Sequence, residues 1–343
     1  MKRALAVMGA VVMILIAVLI RSVIDNGNSS GGSKNSGIGG GPVRILCSTE
    51  LKEICSSLAE DGGVSITVTD PGATVDALTE GAAADFDAWL TVGPWERVLE
   101  DNLDFTQPAP GKPKISNPFE SDGQILARSP VVFVSVTDKA TEKVATACGK
   151  APAASCASSD TSLSIGIPST RRGDGLVGLA QATAGRLGKA DFDANDLADS
   201  DMSSWIATLA NKSRSAKIGT SNALTIAVTK AGQFQAVVAL EANTVASANR
   251  LGSAKVTYPK PVMTADVHLI PRAPATSSDP RKGQVREVPA DTVNRIKELL
   301  AKSGWRVDGR VPAGVSGPKL PNGDGLPEPG VLQVLRESWG KDG

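Results

Sequence analysis

Between residues 43 and 99, a short apolar run is followed three times by a polar turn and then by apolar positions at helical spacing. In the first unit, the apolar run Val43–Cys47 leads into the turn Ser48-Thr49. The apolar positions after that turn have i, i+3, i+4 and i+7 spacing, at Leu51, Ile54, Cys55 and Leu58. This spacing predicts an amphipathic helix. Strand–turn–helix units in series predict a parallel sheet, on which ligands bind at the strand carboxyl ends and helix N-termini.

The same alternation continues along the chain. The second unit starts with the strand Ser65–Thr69 and the third with Phe86–Thr91. Further strands are predicted at residues 131–136, 163–167, 234–240 and 254–258, and further helices at residues 140–147, 203–209, 223–231, 289–302 and 331–339. Asp174 is a plausible N-cap for another helix. The pattern predicts an α/β fold throughout.

Two extended, proline-flanked segments, near residues 125–131 and 254–262, suggest that the chain crosses between two lobes twice. Residues 43–125 and 260–343 would then form lobe one, and residues 130–255 would form lobe two. Two crossover segments between two lobes are the geometry of a hinge.

The first residues have the pattern of a membrane anchor. Lys2-Arg3 precede the uncharged run Ala4–Ile20, and Arg21 follows it. A cleaved signal peptide has a shorter apolar core and a small-x-small site, so an uncleaved transmembrane helix within residues 1–25 is favoured. The basic start places the N-terminus in the cytoplasm, with the bulk of the chain on the extracytoplasmic side of the cell membrane. Residues 26–42 are rich in Gly and Ser and predict a flexible linker.

The four cysteines fit an extracytoplasmic location, where disulfides persist. Cys47 and Cys55 are close in sequence, as are Cys148 and Cys156. Three pairings are possible, and the two local ones would each stay within one predicted lobe. Four reduced cysteines in a cytosolic protein are the alternative.

Composition excludes several classes of function. Lys+Arg 36 balances Asp+Glu 36, so the chain carries no net charge that would attract a polyanion such as nucleic acid. Aromatic residues make up only 3%, too few for a stacking platform. His268 is the single histidine, which argues against a histidine-based metal site or catalytic triad. We therefore expect no enzyme activity, no cofactor and no metal.

The chain resembles the type 2 periplasmic solute-binding proteins, the bilobal receptors of ABC importers, with the molybdate-type and related members nearest in pattern. The resemblance runs over most of residues 43–310 and depends on pattern and spacing, without a single diagnostic motif. The matching segments are residues 43–58, 73–87, 127–136, 165–178, 232–241 and 256–261. The resemblance implies a two-lobed fold whose cleft closes on a small ligand by a hinge motion.

The resemblance also implies which turns face the cleft. From the first lobe these are Ser48, Thr49, Ala73, Thr74, Gly93 and Trp95; from the crossovers and second lobe they are Ser129, Thr170, Arg171 and Tyr258. Hydroxyl groups and free N–H groups at helix N-termini suit a polar or anionic ligand, and Arg171 or Arg172 could grip a carboxylate in bidentate fashion. Trp95 fits a cleft wall and a helix core equally well.

Two features depart from that family: the predicted membrane anchor, and a Pro/Gly-rich tail with a final helix. They leave two hypotheses open, a binding protein for an ABC permease and a non-transport interaction or sensor module of an envelope complex. The sequence Gly173–Gly178 fits G-x-G-x-x-G, but the acidic residue expected about twenty positions on falls in a polar run, so a dinucleotide site is disfavoured.

Overall fold

The computed structural model describes residues 41–105, 114–119, 123–135, 137–148, 164–215, 223–229, 233–252, 254–274, 285–315 and 317–340. Their strands are β1 (Val43–Ser48), β2 (Val64–Thr69), β3 (Ala88–Val92), β4 (Gln124–Ser135), β5 (Ile165–Gly166), β6 (Ala236–Leu240), β7 (Lys255–Thr257) and β8 (Thr264–Pro271). The first helices are α1 (Lys52–Glu60), α2 (Pro71–Thr79), α3 (Trp95–Phe105), α4 (Asp138–Cys148), α5 (Gly173–Leu187) and α6 (Ala194–Leu197). The later helices are α7 (Ser200–Ser215), α8 (Ala223–Thr229), α9 (Glu241–Ala246), α10 (Ala248–Leu251), α11 (Ala290–Lys302) and α12 (Pro329–Trp339).

The three strand–turn–helix units are confirmed, and they build the first half of the sheet. β1 pairs in parallel with both β2 and β3, so the turns after these strands meet at one edge. The order continues β3-β8-β4, with β8 antiparallel to both neighbours. We refer to these strands and the first part of β4 as lobe one.

The long strand β4 links the two halves because it changes partners midway. Pro130 is opposite Thr264 of β8, whereas the next residue, Val131, is opposite Leu240 of β6. From there on β4 pairs with β6 and β7, and β5 pairs in parallel with β6; these strands form lobe two. The fold is therefore a two-lobed α/β fold, and the chain returns to lobe one through the segment between β7 and β8. The exact lobe ranges stay a prediction.

The two lobes are in close contact. Residues 42–343 form a single compact unit, and one apolar core cluster contains residues of lobe one such as Val92 and Trp95 together with Leu176 and Val177 of α5. Helix α5 packs against β3 and β8 as well as against β6. The turns at the boundary between the lobes are therefore surrounded by residues of both lobes.

Two local expectations need correction. The sequence pattern gave no strand at residues 264–271, yet β8 lies between β3 and β4 at the centre of lobe one. Its polar residues Asp266 and His268 are buried beside polar partners, which removes the apolar signal of a central strand. Asp174 is not an N-cap: that position is Arg172, and Asp174 lies in the first turn of α5.

One of the predicted disulfides is present. Cys47 in β1 and Cys55 in α1 are bonded, which joins the first strand to the first helix. The pairing of Cys148 with Cys156 lies outside the residues whose side chains are described, and it stays a prediction. So does the transmembrane helix, because residues 1–40 also lie outside the described residues. Within the described part of the chain, none of the helices has the length and apolar character needed to cross a membrane.

We expect the double variant Cys47→Ala/Cys55→Ala to unfold at lower urea concentration, with a loss of about 2 kcal/mol in the free energy of unfolding. The bond closes a short loop, with a sequence separation of 8, so its removal gives the unfolded chain more conformational freedom. Urea unfolding followed by tryptophan fluorescence measures the change. An unfolding free energy equal to that of the unmodified chain would contradict this role of the disulfide.

Candidate functional site

The two lobes meet at the turns that follow their strands. The backbone N–H of Gly72, at the start of α2 in lobe one, donates a 2.8 Å hydrogen bond to the carbonyl oxygen of Arg171 in lobe two. A Cβ atom at Gly72 would lie 2.9 Å from the Cα and carbonyl oxygen of Arg171, so a larger residue would push the turns apart. Predicted ligand-facing turns from both lobes therefore contact each other directly.

The N-terminus of α5 binds a carboxylate that the chain itself supplies. Gly173, the first residue of α5, donates its backbone N–H to Glu50 of the turn after β1. A Cβ at Gly173 would lie 2.5 Å from the carbonyl oxygen of Val92, so only glycine allows this approach of the two lobes. A negative charge at this helix end is stabilised by the free N–H groups and the helix dipole.

Partial burial acts against the charge on Glu50. Loss of solvation raises the pKa of Glu50 to about 7, and the nearby carboxylate of Asp174 acts in the same direction. The Arg172 guanidinium and the Gly173 N–H lower this pKa and so limit the rise. Glu50 therefore changes charge near neutral pH while it bridges the lobes.

The guanidinium of Arg172 is held by its own helix. Its Nε lies 2.9 Å from Asp174 Oδ1 and its Nη2 lies 3.0 Å from Oδ2, and both side chains are buried. Arg172 therefore makes the bidentate contact with a carboxylate that the sequence suggested, but the carboxylate is that of Asp174 in the same chain. The Asp174 and Glu50 carboxylates raise the pKa of Arg172 against the effect of its desolvation, so it stays charged.

The lobe-one residues predicted to face a ligand mostly bond to neighbours in lobe one. Ser48 Oγ lies 2.8 Å from Thr91 Oγ1, and Thr49 donates a 2.7 Å hydrogen bond to Asp70. The Thr74 hydroxyl donates to the backbone carbonyl oxygen of Asp70 at 3.3 Å. The backbone N–H of Gly93 donates to the backbone carbonyl oxygen of Asp266 at 2.7 Å. Trp95 is fully buried, and Ala73 is half-buried in the first turn of α2.

The remaining predicted residues separate into two groups. Thr170 is buried next to Arg171, whose guanidinium lies 3.5 Å from Asp76 of α2. Ser129 and Tyr258 lie together elsewhere, at the start of α9. Ser129 Oγ accepts the N–H of Ala242 at 3.0 Å, and the Tyr258 hydroxyl donates to Glu241 at 2.6 Å. The structure therefore brings Thr170 and Arg171 to the lobe boundary and places Ser129 and Tyr258 at the crossovers.

A buried ion pair links the crossovers to the C-terminal part of the chain. Arg306 holds Glu241 through Nε at 2.7 Å and Nη2 at 2.6 Å, and it donates from Nη1 to the Pro318 carbonyl at 2.7 Å. Burial and the Glu241 carboxylate raise the pKa of Tyr258, which keeps its hydroxyl proton for Glu241. A cavity of about 350 Å³ beside the Tyr258 ring is lined otherwise by apolar residues and Thr244.

Sequence reasoning missed the residues that close the lobe boundary. Glu50 follows the predicted turn directly, but nothing in the sequence pairs it with Gly173. Arg306 and Asp76 likewise gave no signal, because the charged side chains that they pair with, Glu241 and Arg336, are 65 and 260 residues away in the chain. A charged residue next to a predicted ligand turn is the one sequence feature that would have pointed to Glu50.

Among the described residues, His, Cys, Asp and Glu form no group that would hold a metal ion.

Comparison with known proteins gives the class of the fold. No protein-family model and no curated protein matches the chain. Iron-bound HitA from Pseudomonas aeruginosa matches with a TM-score of 0.54 and 15% identity, over 87% of this chain and 100% of that one. The periplasmic binding protein AfuA from Actinobacillus pleuropneumoniae, bound to fructose-6-phosphate, matches with a TM-score of 0.52 and 13% identity, over 88% and 98%. The chain therefore has the fold of the type 2 periplasmic binding proteins, as its resemblance implied.

Proposed function

We propose that this protein is an extracytoplasmic solute-binding protein that captures a small polar or anionic ligand between its two lobes by hinge closure. The single observation that carries the proposal is the carboxylate of Glu50 on the N-terminus of α5. It marks a place between the lobes where an anion is held by a backbone N–H, with the Arg172 guanidinium nearby. The fold supports the proposal because the matched structures are periplasmic binding proteins, one with iron and one with fructose-6-phosphate bound.

In the proposed mechanism, opening separates the bond from Gly72 to Arg171 and the bond from Gly173 to Glu50. Both bonds cross the lobe boundary, whereas β4 and the segment between β7 and β8 connect the lobes covalently. An anionic ligand then takes the place of the Glu50 carboxylate, and the closed form is the one that a membrane partner recognises. We propose an ABC-type permease as that partner, and we propose that residues 1–25 include a transmembrane helix that anchors the protein at the cell membrane.

We expect the full chain to bind one member of a panel of phosphate, sulfate, amino acids, fructose-6-phosphate and small sugars in isothermal titration calorimetry. The Thr170→Ala variant should bind that compound about tenfold more weakly, because it removes a buried hydroxyl at the lobe boundary. The matched control is Thr208→Ala, whose exposed hydroxyl bonds only within α7. Equal affinity in all three proteins would remove the turn at residues 168–172 from the site.

The second candidate is a non-transport interaction or sensor module of an envelope complex. The observation that favours it is that Gly72, Arg171, Glu50 and Gly173 hold the lobes together through the chain's own groups. A module of this kind would bind no compound of the panel, and its lobes would stay closed. The calorimetric panel therefore separates the two candidates.

A further inference from the structure

The last helix of the chain lies across the boundary between the lobes. Helix α12 packs against α3 of lobe one and against α5, α6 and α7 of lobe two. Its apolar side buries Val331, Leu332, Leu335 and Trp339. A helix that packs on both lobes at once keeps all of this apolar contact only while the lobes stay together.

The same helix makes a charged contact with lobe one at the point where lobe two also reaches it. Nη2 of Arg336 lies 2.6 Å from Oδ1 and 2.7 Å from Oδ2 of Asp76 in α2. Arg171 of lobe two lies 3.5 Å from the same carboxylate. The Arg336 guanidinium also lies 5.2 Å from the centre of the Trp95 ring, which adds a cation–π attraction. Asp76 is thus shared between α12 and lobe two.

The segment before α12 lies along the crossover strands. Arg128 of β4 donates to the carbonyl oxygens of Pro321 and Asn322 at 3.2 Å each. Asp324 pairs with Arg97 of α3 at 2.6 Å, and its backbone oxygen accepts the N–H of Thr264. We call residues 317–340 the C-terminal strap. Its first part is attached to β4, α3 and β8, and its helix α12 lies across the lobe boundary.

We propose that the C-terminal strap is an intramolecular latch, which holds the two lobes closed in the ligand-free chain through the contact of Arg336 with Asp76 and the packing of α12. The latch shifts the balance between open and closed forms toward the closed form. It is a property of the ligand-free chain, so it can hold or fail independently of the proposed ligand binding.

Hydrogen exchange of individual backbone amides in the ligand-free full chain tests the latch. The Gly72 and Gly173 amides donate across the lobe boundary, so they report on opening. The Asp87 amide, bonded to Arg44, and the Gln235 amide, bonded to Ser164, report on the interior of lobe one and lobe two. In the Arg336→Ala variant, we expect exchange about tenfold faster at Gly72 and Gly173 and unchanged at Asp87 and Gln235.

The matched control is Arg295→Ala. It removes an arginine that pairs with Asp61 at 2.6 Å within lobe one, and all four amides should exchange as in the unmodified chain. The Arg336→Lys variant keeps the charge and should give intermediate exchange at the two boundary amides. Unchanged exchange at Gly72 and Gly173 in Arg336→Ala would overturn the latch. Equal acceleration at all four amides would also overturn it, because α12 would then support the whole fold.

Discussion

The Arg306→Met variant should lose about 3–5 kcal/mol of unfolding free energy, because it leaves the carboxylate of Glu241 buried without its cation. Both side chains are almost completely removed from solvent, at 1% and 0% exposure. The variant also loses the bond to the Pro318 carbonyl, which ties the C-terminal strap to the crossovers. Urea unfolding at neutral pH, followed by the fluorescence of the five tryptophans, measures the loss.

Two further variants separate the buried charge from other effects. Arg295→Met removes a half-exposed arginine from its pair with Asp61 and should cost no more than about 1 kcal/mol. The double variant Glu241→Gln/Arg306→Met no longer buries an unpaired charge, so it should be more stable than Arg306→Met alone. A loss below about 1 kcal/mol in Arg306→Met would contradict the importance of this ion pair.

The second large effect concerns pH. Because folding raises the pKa of Glu50 from 4.5 to about 7, the folded chain binds a proton more tightly than the unfolded chain does. Glu50 therefore contributes stability that is present below pH 4.5 and is lost as pH rises through 7. The loss amounts to at most about 3 kcal/mol, since one pKa unit corresponds to 1.36 kcal/mol.

The Glu50→Gln variant should lack this component. We expect the difference in unfolding free energy between the variant and the unmodified chain to grow in favour of the variant between pH 5 and pH 8. Urea unfolding at several pH values measures it, and taking the difference removes the contribution of every other titrating group. Glu53→Gln, an exposed change on α1, is the control and should show no such trend. A difference that stays constant with pH would show that Glu50 titrates as it does in the unfolded chain.

Together these contacts describe a two-lobed fold whose lobes are held together by the chain's own backbone hydrogen bonds, charged side chains and apolar packing. Glu50 lies where an anionic ligand is proposed to bind, and Arg336 holds the outer edge of the same boundary. The geometry suits either a receptor that opens against these contacts or a module that stays closed. Calorimetry and hydrogen exchange address the two possibilities separately, one through ligand affinity and the other through opening.

Much of the secondary structure could be predicted because it depends on local periodicity. The unit from Val43 to Leu58 shows this, since its strand, turn and helix follow from a dozen neighbouring residues. β8 could not be predicted, because its buried Asp266 and His268 are tolerable only beside Arg128 and Glu96, which come from other elements. The disulfide from Cys47 to Cys55 was one of the pairings that short spacing favoured.

The sequence by itself determined the α/β alternation and the three strand–turn–helix units between residues 43 and 99, since each follows from the spacing of nearby residues. Only the tertiary structure decided which distant residues the turns between strands and helices contact: Glu50 binds the N–H of Gly173, and Asp76 lies between Arg171 and Arg336. These partners are brought together by the packing of whole helices and strands. Such contacts depend on distances in space that no local pattern along the chain encodes.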